Sequence, residues 1–141
     1  MTGVKDLPTL LRHLEPCLSQ PVYVFATLPN DAPLPADLAW QMMFREHEGL
    51  TLVLEEGEAR RAGLAGTFRC RMLTLRVNSS LEAVGLIATV SARLAASGIP
   101  MNPVSAYRHD HVFVPVERAD DALRLLLALA AEAGHATLGR R

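Results

Sequence analysis

The stretch SAYRHDHVFVP, residues 105–115, sets an aspartate between two histidines: His109, Asp110 and His111. Histidine and carboxylate side by side are the groups of proton relays and of metal sites. A metal site needs further donors at suitable spacing. His13, His47 and His135 are scattered, and neither Cys17 nor Cys70 belongs to a nearby cluster, so no metal is expected. If His109 and Asp110 form a turn, the two histidines stand at its opposite ends and need not converge. Covalent catalysis has little support either, because no G-x-S-x-G elbow occurs and Ser91 and Ser97 fall in a helix-patterned segment. The run AGLAG at 62–66 lacks the spacing and the lysine of a phosphate-binding loop, and no cofactor is expected. Asp110 then has two readings: a turn residue, or a contact to a cationic group of a ligand. Glu48, in the earlier stretch EHEGL, reads as a solvated turn carboxylate.

A second polar group, Asn78-Ser79-Ser80, precedes an apolar-periodic run. Such residues cap helices whether or not anything binds there. They also place free N–H groups and hydroxyls where a carboxylate can be held.

These residues depend on elements whose periodicity is legible. Leu7, Leu10, Leu11 and Leu14 make one stripe of a helix over 7–15, capped by Asp6 with Pro8 in its first turn. VYVFATL, 22–28, reads as a buried strand, and Pro29, Pro33 and Pro35 forbid a regular element after it. Strands at 41–46 and 50–55 flank the turn His47-Glu48-Gly49, and a brief helix fits EGEARRAGL. In residues 67–77 one face holds Phe68, Cys70 and Met72 and the other Leu73, Leu75 and Val77, a phase change that predicts a bulge or two strand pieces. A helix is predicted over 80–97, capped by Ser79 or Ser80 and ended by Gly98. A second hairpin over 103–108 and 111–116 leads to a last helix, 118–133, stopped by Gly134.

A shift of 62 residues lays the first hairpin on the second, so that His47 meets His109 and Glu48 meets Asp110. Each hairpin follows a lone strand. The predicted fold class is therefore α+β, with two ferredoxin-like βαββαβ-type units whose antiparallel sheets carry helices on one face. The units are expected at 1–66, with the leading helix as a candidate for its missing connecting helix, and at 67–141. A ligand crevice between related units is expected.

The run LTLRVNSSLEAVGLIATVSARLAASGIPMNPVSAYRHDHVFVPVERADDAL resembles an ACT domain, with a polar turn after the first strand, a "VGL" helix opening, "GI" and a hairpin. YVFATLPNDAPLPADLAWQMMFREHEGLTLVLE resembles the partner half of small bacterial proteins made of two ACT-like units. The hairpin pattern Ser-Ala-Tyr-x-x-Asp-His is also similar to one in the cytosolic arginine-sensing proteins of animals, which are built from ACT repeats. The resemblance implies a non-catalytic regulatory protein that binds a small molecule, an amino acid above all. It implies ligand contacts at Asn78, Ser79, Ser80, Leu81, Val84, Gly85, Ser105, Tyr107 and Asp110. The family's loop often has a glycine where this chain has serines, which motivates an alternative: a protein-interaction module of the same fold without a ligand.

Composition sets outer bounds. Half of the 141 residues are apolar, enough for a sizeable core. Lys plus Arg number 14 against 15 Asp plus Glu, and no basic run exceeds the Arg140-Arg141 pair, so nucleic acid is not expected as a partner. The charged N-terminus is neither leader nor membrane span, and no apolar run reaches the roughly 18 residues of a spanning helix. A cytoplasmic chain with reduced cysteines is expected, without a membrane role. Apolar helix faces make a homodimer and an unidentified protein partner further expectations.

Overall fold

In the computed structural model, which describes residues 3–138, Asp6 opens the first helix, α1 (Leu7–Arg12), by accepting the Thr9 N–H at 3.0 Å. The helix is three residues shorter than its stripe predicts. Pro16 disfavours the helical conformation of the residue before it, and Glu15 takes φ 45° instead. The chain then forms a strand with no prior signal, β1 (Pro16–Leu18). The Arg140-Arg141 pair lies outside the described residues.

Contacts divide the chain into two compact units, Gln20–Arg71 and Met1–Ser19 with Met72–Arg141. The first contains β2 (Tyr23–Leu28), β3 (Met42–Arg45), β4 (Leu50–Glu55), α2 (Glu56–Arg61) and the start of β5 (Thr67–Leu75). Its strands run antiparallel in the order β3-β4-β2-β5. Val24 and Ala26, two apart on β2, share a face with Leu52 and Leu54 of β4, and Ala59 of α2 closes over them. Residues 29–41 carry turns and no helix, as the prolines require.

The phase change in β5 has the second of its two anticipated causes. The early part of the strand pairs with β2 and its end, Leu73–Leu75, with β1, so that one strand serves both units. A bulge is also present, but farther upstream. Tyr23 pairs with Cys70 but Phe25 with Thr67, one extra residue on β5, and Phe68 takes φ 57° there. Burial then steps from Cys70 to Leu73, an odd interval that transfers the apolar face. Cys17 and Cys70 are both free thiols. Burial pushes the Cys70 thiol up to about 12, so it stays protonated and donates to the Tyr23 carbonyl at 3.4 Å.

The second unit holds the end of β5, α3 (Leu86–Ala96), β6 (Asn102–Ser105), β7 (Asp110–Pro115), a 3₁₀ turn at Val116–Arg118 and α4 (Ala119–Leu138). Its strand order is β1-β5-β7-β6. Each unit therefore sets its first and third strands side by side, with its second and fourth at the edges. In this unit the fourth place is filled by β1, from the start of the chain. For the same reason α1 does not supply the missing helix of the first unit. Leu10 and Leu14 are fully buried with Leu73, Leu75, Val90, Leu94, Val112 and Leu126, in the core of the second.

Two further helix ends differ from expectation. Helix α3 starts at Leu86 rather than near residue 80, because Gly85 turns the backbone at φ 100° and Ser79 and Ser80 bond elsewhere. Its far end is as predicted. Gly98 at φ 68° lets the N–H groups of Gly98 and Ile99 reach the carbonyls of Ala95 and Leu94, while Ile99 and Leu94 are both buried in the core. Gly134 does not stop α4; it is not among the left-handed glycines and the helix passes through it. A helical glycine costs about 1 kcal/mol against alanine without ending the helix.

Candidate functional site

The second hairpin places Asp110 differently from a turn residue. Ser105 pairs with Asp110 across the ladder, and the loop is Ala106–His109, closed by Ala106 N–H to the His109 carbonyl at 3.0 Å. Asp110 is the first residue of β7 and only 7% exposed. In the first hairpin Arg45 pairs with Leu50 around a loop of equal length, so the two ladders correspond at a shift of 60 residues rather than 62. A strand repeats every two residues, and a slip of two preserves every inward and outward assignment. The apolar pattern is blind to it. The structural counterpart of Asp110 is accordingly Leu50, that of His109 is Gly49, and that of Ser105 is Arg45.

A buried carboxylate requires partners. Asp110 has two: Ser105 Oγ donates to Oδ1 at 2.6 Å and Ser79 Oγ to Oδ2 at 2.8 Å. Ser79 is as buried as Asp110 and comes from the loop between β5 and α3. The β5–α3 loop and the β6–β7 hairpin, distant in sequence, thus converge. The same loop folds tightly: Ser80 Oγ accepts the Glu82 N–H at 3.1 Å, and the Ser80 carbonyl accepts the Ala83 N–H at 3.0 Å. The carbonyl of Gly85 then takes both the N–H and the hydroxyl of Thr89, at 2.9 and 2.8 Å. No side chain caps α3, so the N–H groups of Leu86, Ile87 and Ala88 have no intrahelical acceptor.

Asp110, Ser79, Ser105 and the first turn of α3 line one recess of about 210 Å³, with Ser80, Leu81 and Gly85 among its other walls. Drug-sized ligands occupy roughly 300–1,000 Å³, so this volume suits a smaller metabolite. A carboxylate that can accept from cations and a helix turn whose N–H groups lack intrahelical acceptors thus line one small space.

Of the anticipated contacts, Ser79, Ser80, Leu81, Gly85, Ser105 and Asp110 are brought together there. Asn78 and Tyr107 line a second recess of about 230 Å³ that shares Ser79, Ser80 and Leu81. Val84 lines neither and is 82% exposed. Leu86, Ile87 and Ala88 escaped notice because a helix starting near 80 puts its free N–H groups in the wrong place. Gly85 was the available signal.

The histidines diverge. His111 Nδ1 lies 2.9 Å from Thr74 Oγ1, and His109 Nδ1 lies 3.4 Å from the Val77 carbonyl. Among the described residues no three His, Cys, Asp or Glu side chains gather as a metal set. Burial, then the nearby His109, holds His111 below its ordinary value of 6.5, against an opposing pull from Asp110. A histidine lowered in this way binds its proton more readily when unfolded. Its contribution is therefore complete above 6.5 and falls away as the pH drops from 6.5 towards the folded value. Thermal melts of the native chain and His111→Gln are expected to converge in pH dependence above neutrality and to separate between pH 7 and 5, with the native chain losing more.

The fold defines a tandem pair of small α+β units, with this recess in the second. Two family models, each describing an ACT domain, match residues 2–71 and 67–128. The chain belongs to the ACT-domain family. Among solved structures it is similar to a Vibrio cholerae protein of unknown function, possibly a transport protein, at 42% identity and TM-score 0.78, with 92% of this chain and 99% of that one covered. An Agrobacterium tumefaciens protein shares the fold at 17% identity and TM-score 0.70, over 82% and 87% of the two chains. So does the regulatory subunit of aspartate kinase from Thermus thermophilus, at 13% identity and TM-score 0.61, over 81% and 95%. No curated protein sequence matches the chain. Tandem ACT domains typically serve as small-molecule-binding regulatory modules, and among the described residues no helix is long and apolar enough to cross a membrane.

Proposed function

We propose that this chain is a non-catalytic regulatory protein that binds a free amino acid in the recess of its second unit. The observation that carries the reading is the buried Asp110 carboxylate opening on the same space as the uncapped start of α3. An α-ammonium or side-chain cation is held by Asp110, while a carboxylate takes the N–H groups of Leu86 to Ala88. Ser79 and Ser105 orient Asp110, and Leu81 and Gly85 shape the wall. Asn78 and Tyr107 act at the outer recess, and Val84 has no assigned contact.

The two sequence repeats are assigned to 1–66 and 67–141, with α1 and β1 of the first packed into the second compact unit, and the protein is taken as a cytoplasmic homodimer with a protein partner to which it reports. One ligand per chain is expected, since the first unit has buried Leu50 and Arg45 where the second has Asp110 and Ser105. Calorimetric titration with each standard amino acid at millimolar concentration tests the reading. A single saturable site per chain supports it; folded protein that responds to none of them overturns it. The alternative, an interaction module without ligand, has its support in Leu81 and Val84, apolar and 66% and 82% exposed beside the recess. It predicts a stable partner whose binding is indifferent to amino acids.

A further inference from the structure

Residues 3–5 form a short strap laid directly on the loop that walls both recesses. The Val4 N–H donates to the Asn78 carbonyl at 2.8 Å, and the Val4 carbonyl accepts the Ser80 N–H at 2.9 Å, a parallel bridge centred on Ser79. Lys5 pairs with Glu82. Gly3 lies flat against the same backbone: a Cβ built there would stand 2.6 Å from Ser79 C and Ser80 N and 2.8 Å from the Asn78 carbonyl oxygen. Those contacts are too short for any side chain, and the neighbours are backbone atoms that cannot swing away. Behind the strap, Asp6 caps α1, and Leu7 packs against Gly85, whose own Cβ would be 3.1 Å from Leu7 Cδ2. The strap is thereby tied to the loop at Asn78, Ser80 and Glu82, on both sides of the residue that donates to Asp110, while Leu7 behind it meets Gly85.

The structure assigns Gly3, Val4 and Lys5 a positioning role: they hold the 78–85 loop in the form that presents Ser79 and the start of α3 to the ligand, so that affinity depends on the strap. This rests on the proposed reading of the recess. The coupling runs both ways, since a ligand that favours the ordered loop must also favour the docked strap. The Ser80 amide is its reporter, being hydrogen-bonded to Val4 and to nothing in its own loop. Val4 is 38% exposed, so its side chain carries little of the effect.

Hydrogen exchange at Ser80 and calorimetric titration with each standard amino acid, on the native chain and the variants Gly3→Ala, Val4→Pro and Val4→Ala, test the assignment. Gly3→Ala displaces the strap by its Cβ, Val4→Pro removes the N–H that binds Asn78, and Val4→Ala keeps every backbone bond. The expected result is faster Ser80 exchange in Gly3→Ala and Val4→Pro, with affinity weakened roughly fivefold or more, the usual floor of site-to-site coupling. Val4→Ala should match the native chain in both readouts, and a saturating amino acid should slow Ser80 exchange in the native chain. Unaltered Ser80 exchange in the first two variants overturns the assignment, and so does native affinity despite faster exchange. A native chain that binds no amino acid removes the reading of the recess and the strap's role with it, an outcome distinct from the other two.

Discussion

Asp110→Asn is expected to weaken amino-acid binding roughly 10- to 150-fold while leaving the protein folded, as measured by calorimetric titration beside a urea melt. The range follows from a hydrogen bond to a charged group, worth about 1.5–3 kcal/mol. Asparagine keeps the shape of the side chain, and the Ser79 and Ser105 hydroxyls can rotate to bond its amide, so the buried polar cluster stays satisfied. Only the charge that meets a cation is lost. Asp110→Ala is a poorer probe, because it leaves the buried Ser79 hydroxyl without its acceptor at about 1–3 kcal/mol of stability. Undiminished affinity in Asp110→Asn would show that the ligand's cation, if it has one, is held elsewhere.

The second large effect belongs to the leading helix. Leu10→Ala is expected to lower the unfolding free energy by about 2–5 kcal/mol, as much as a substitution in the middle of a core. A six-residue helix has almost no stability of its own, so its order depends on burial. Leu10 is fully buried in the cluster that also contains Leu126 of α4 and Val90 of α3, and removing three carbons leaves a cavity among them. Against a typical total of about 5–15 kcal/mol the loss is a large fraction. A urea transition moved by less than about 1 kcal/mol would mean that residues 7–14 lie loosely on the unit rather than inside its core.

The elements were largely legible because each carries its own period. The leucines of residues 7–14, the short apolar runs of β2 and β4, and the apolar spacing of α4 mark a helix or strand without reference to anything distant. The change of face within β5 was legible as a phase change for the same reason, although the bulge itself lies upstream of it, at Phe68. Three features were not. The place of α1 depends on which sheet lacks a fourth strand, and β1 is too short to show any period. The start of α3 turned on Gly85 rather than on the serines, which have a second use as donors to Asp110. The hairpin correspondence was displaced by two residues, an error to which a two-residue repeat offers no resistance.

The site divides along the same line. Ser79, Ser105 and Asp110 were nominated by residue type and by likeness to a family, since hydroxyls in a turn and a carboxylate near a hairpin can be read locally. The sequence by itself determined the α+β class, the two-unit repeat and this short roll of polar candidates. Only the tertiary structure decided that Asp110 is a buried strand residue held by two serines, that Leu50 stands in its place in the first unit, and that the first turn of α3 lines the recess. Strand register and the left-handed turn at Gly85 set these relations, and both depend on pairings between residues far apart in the chain, which local periodicity does not encode.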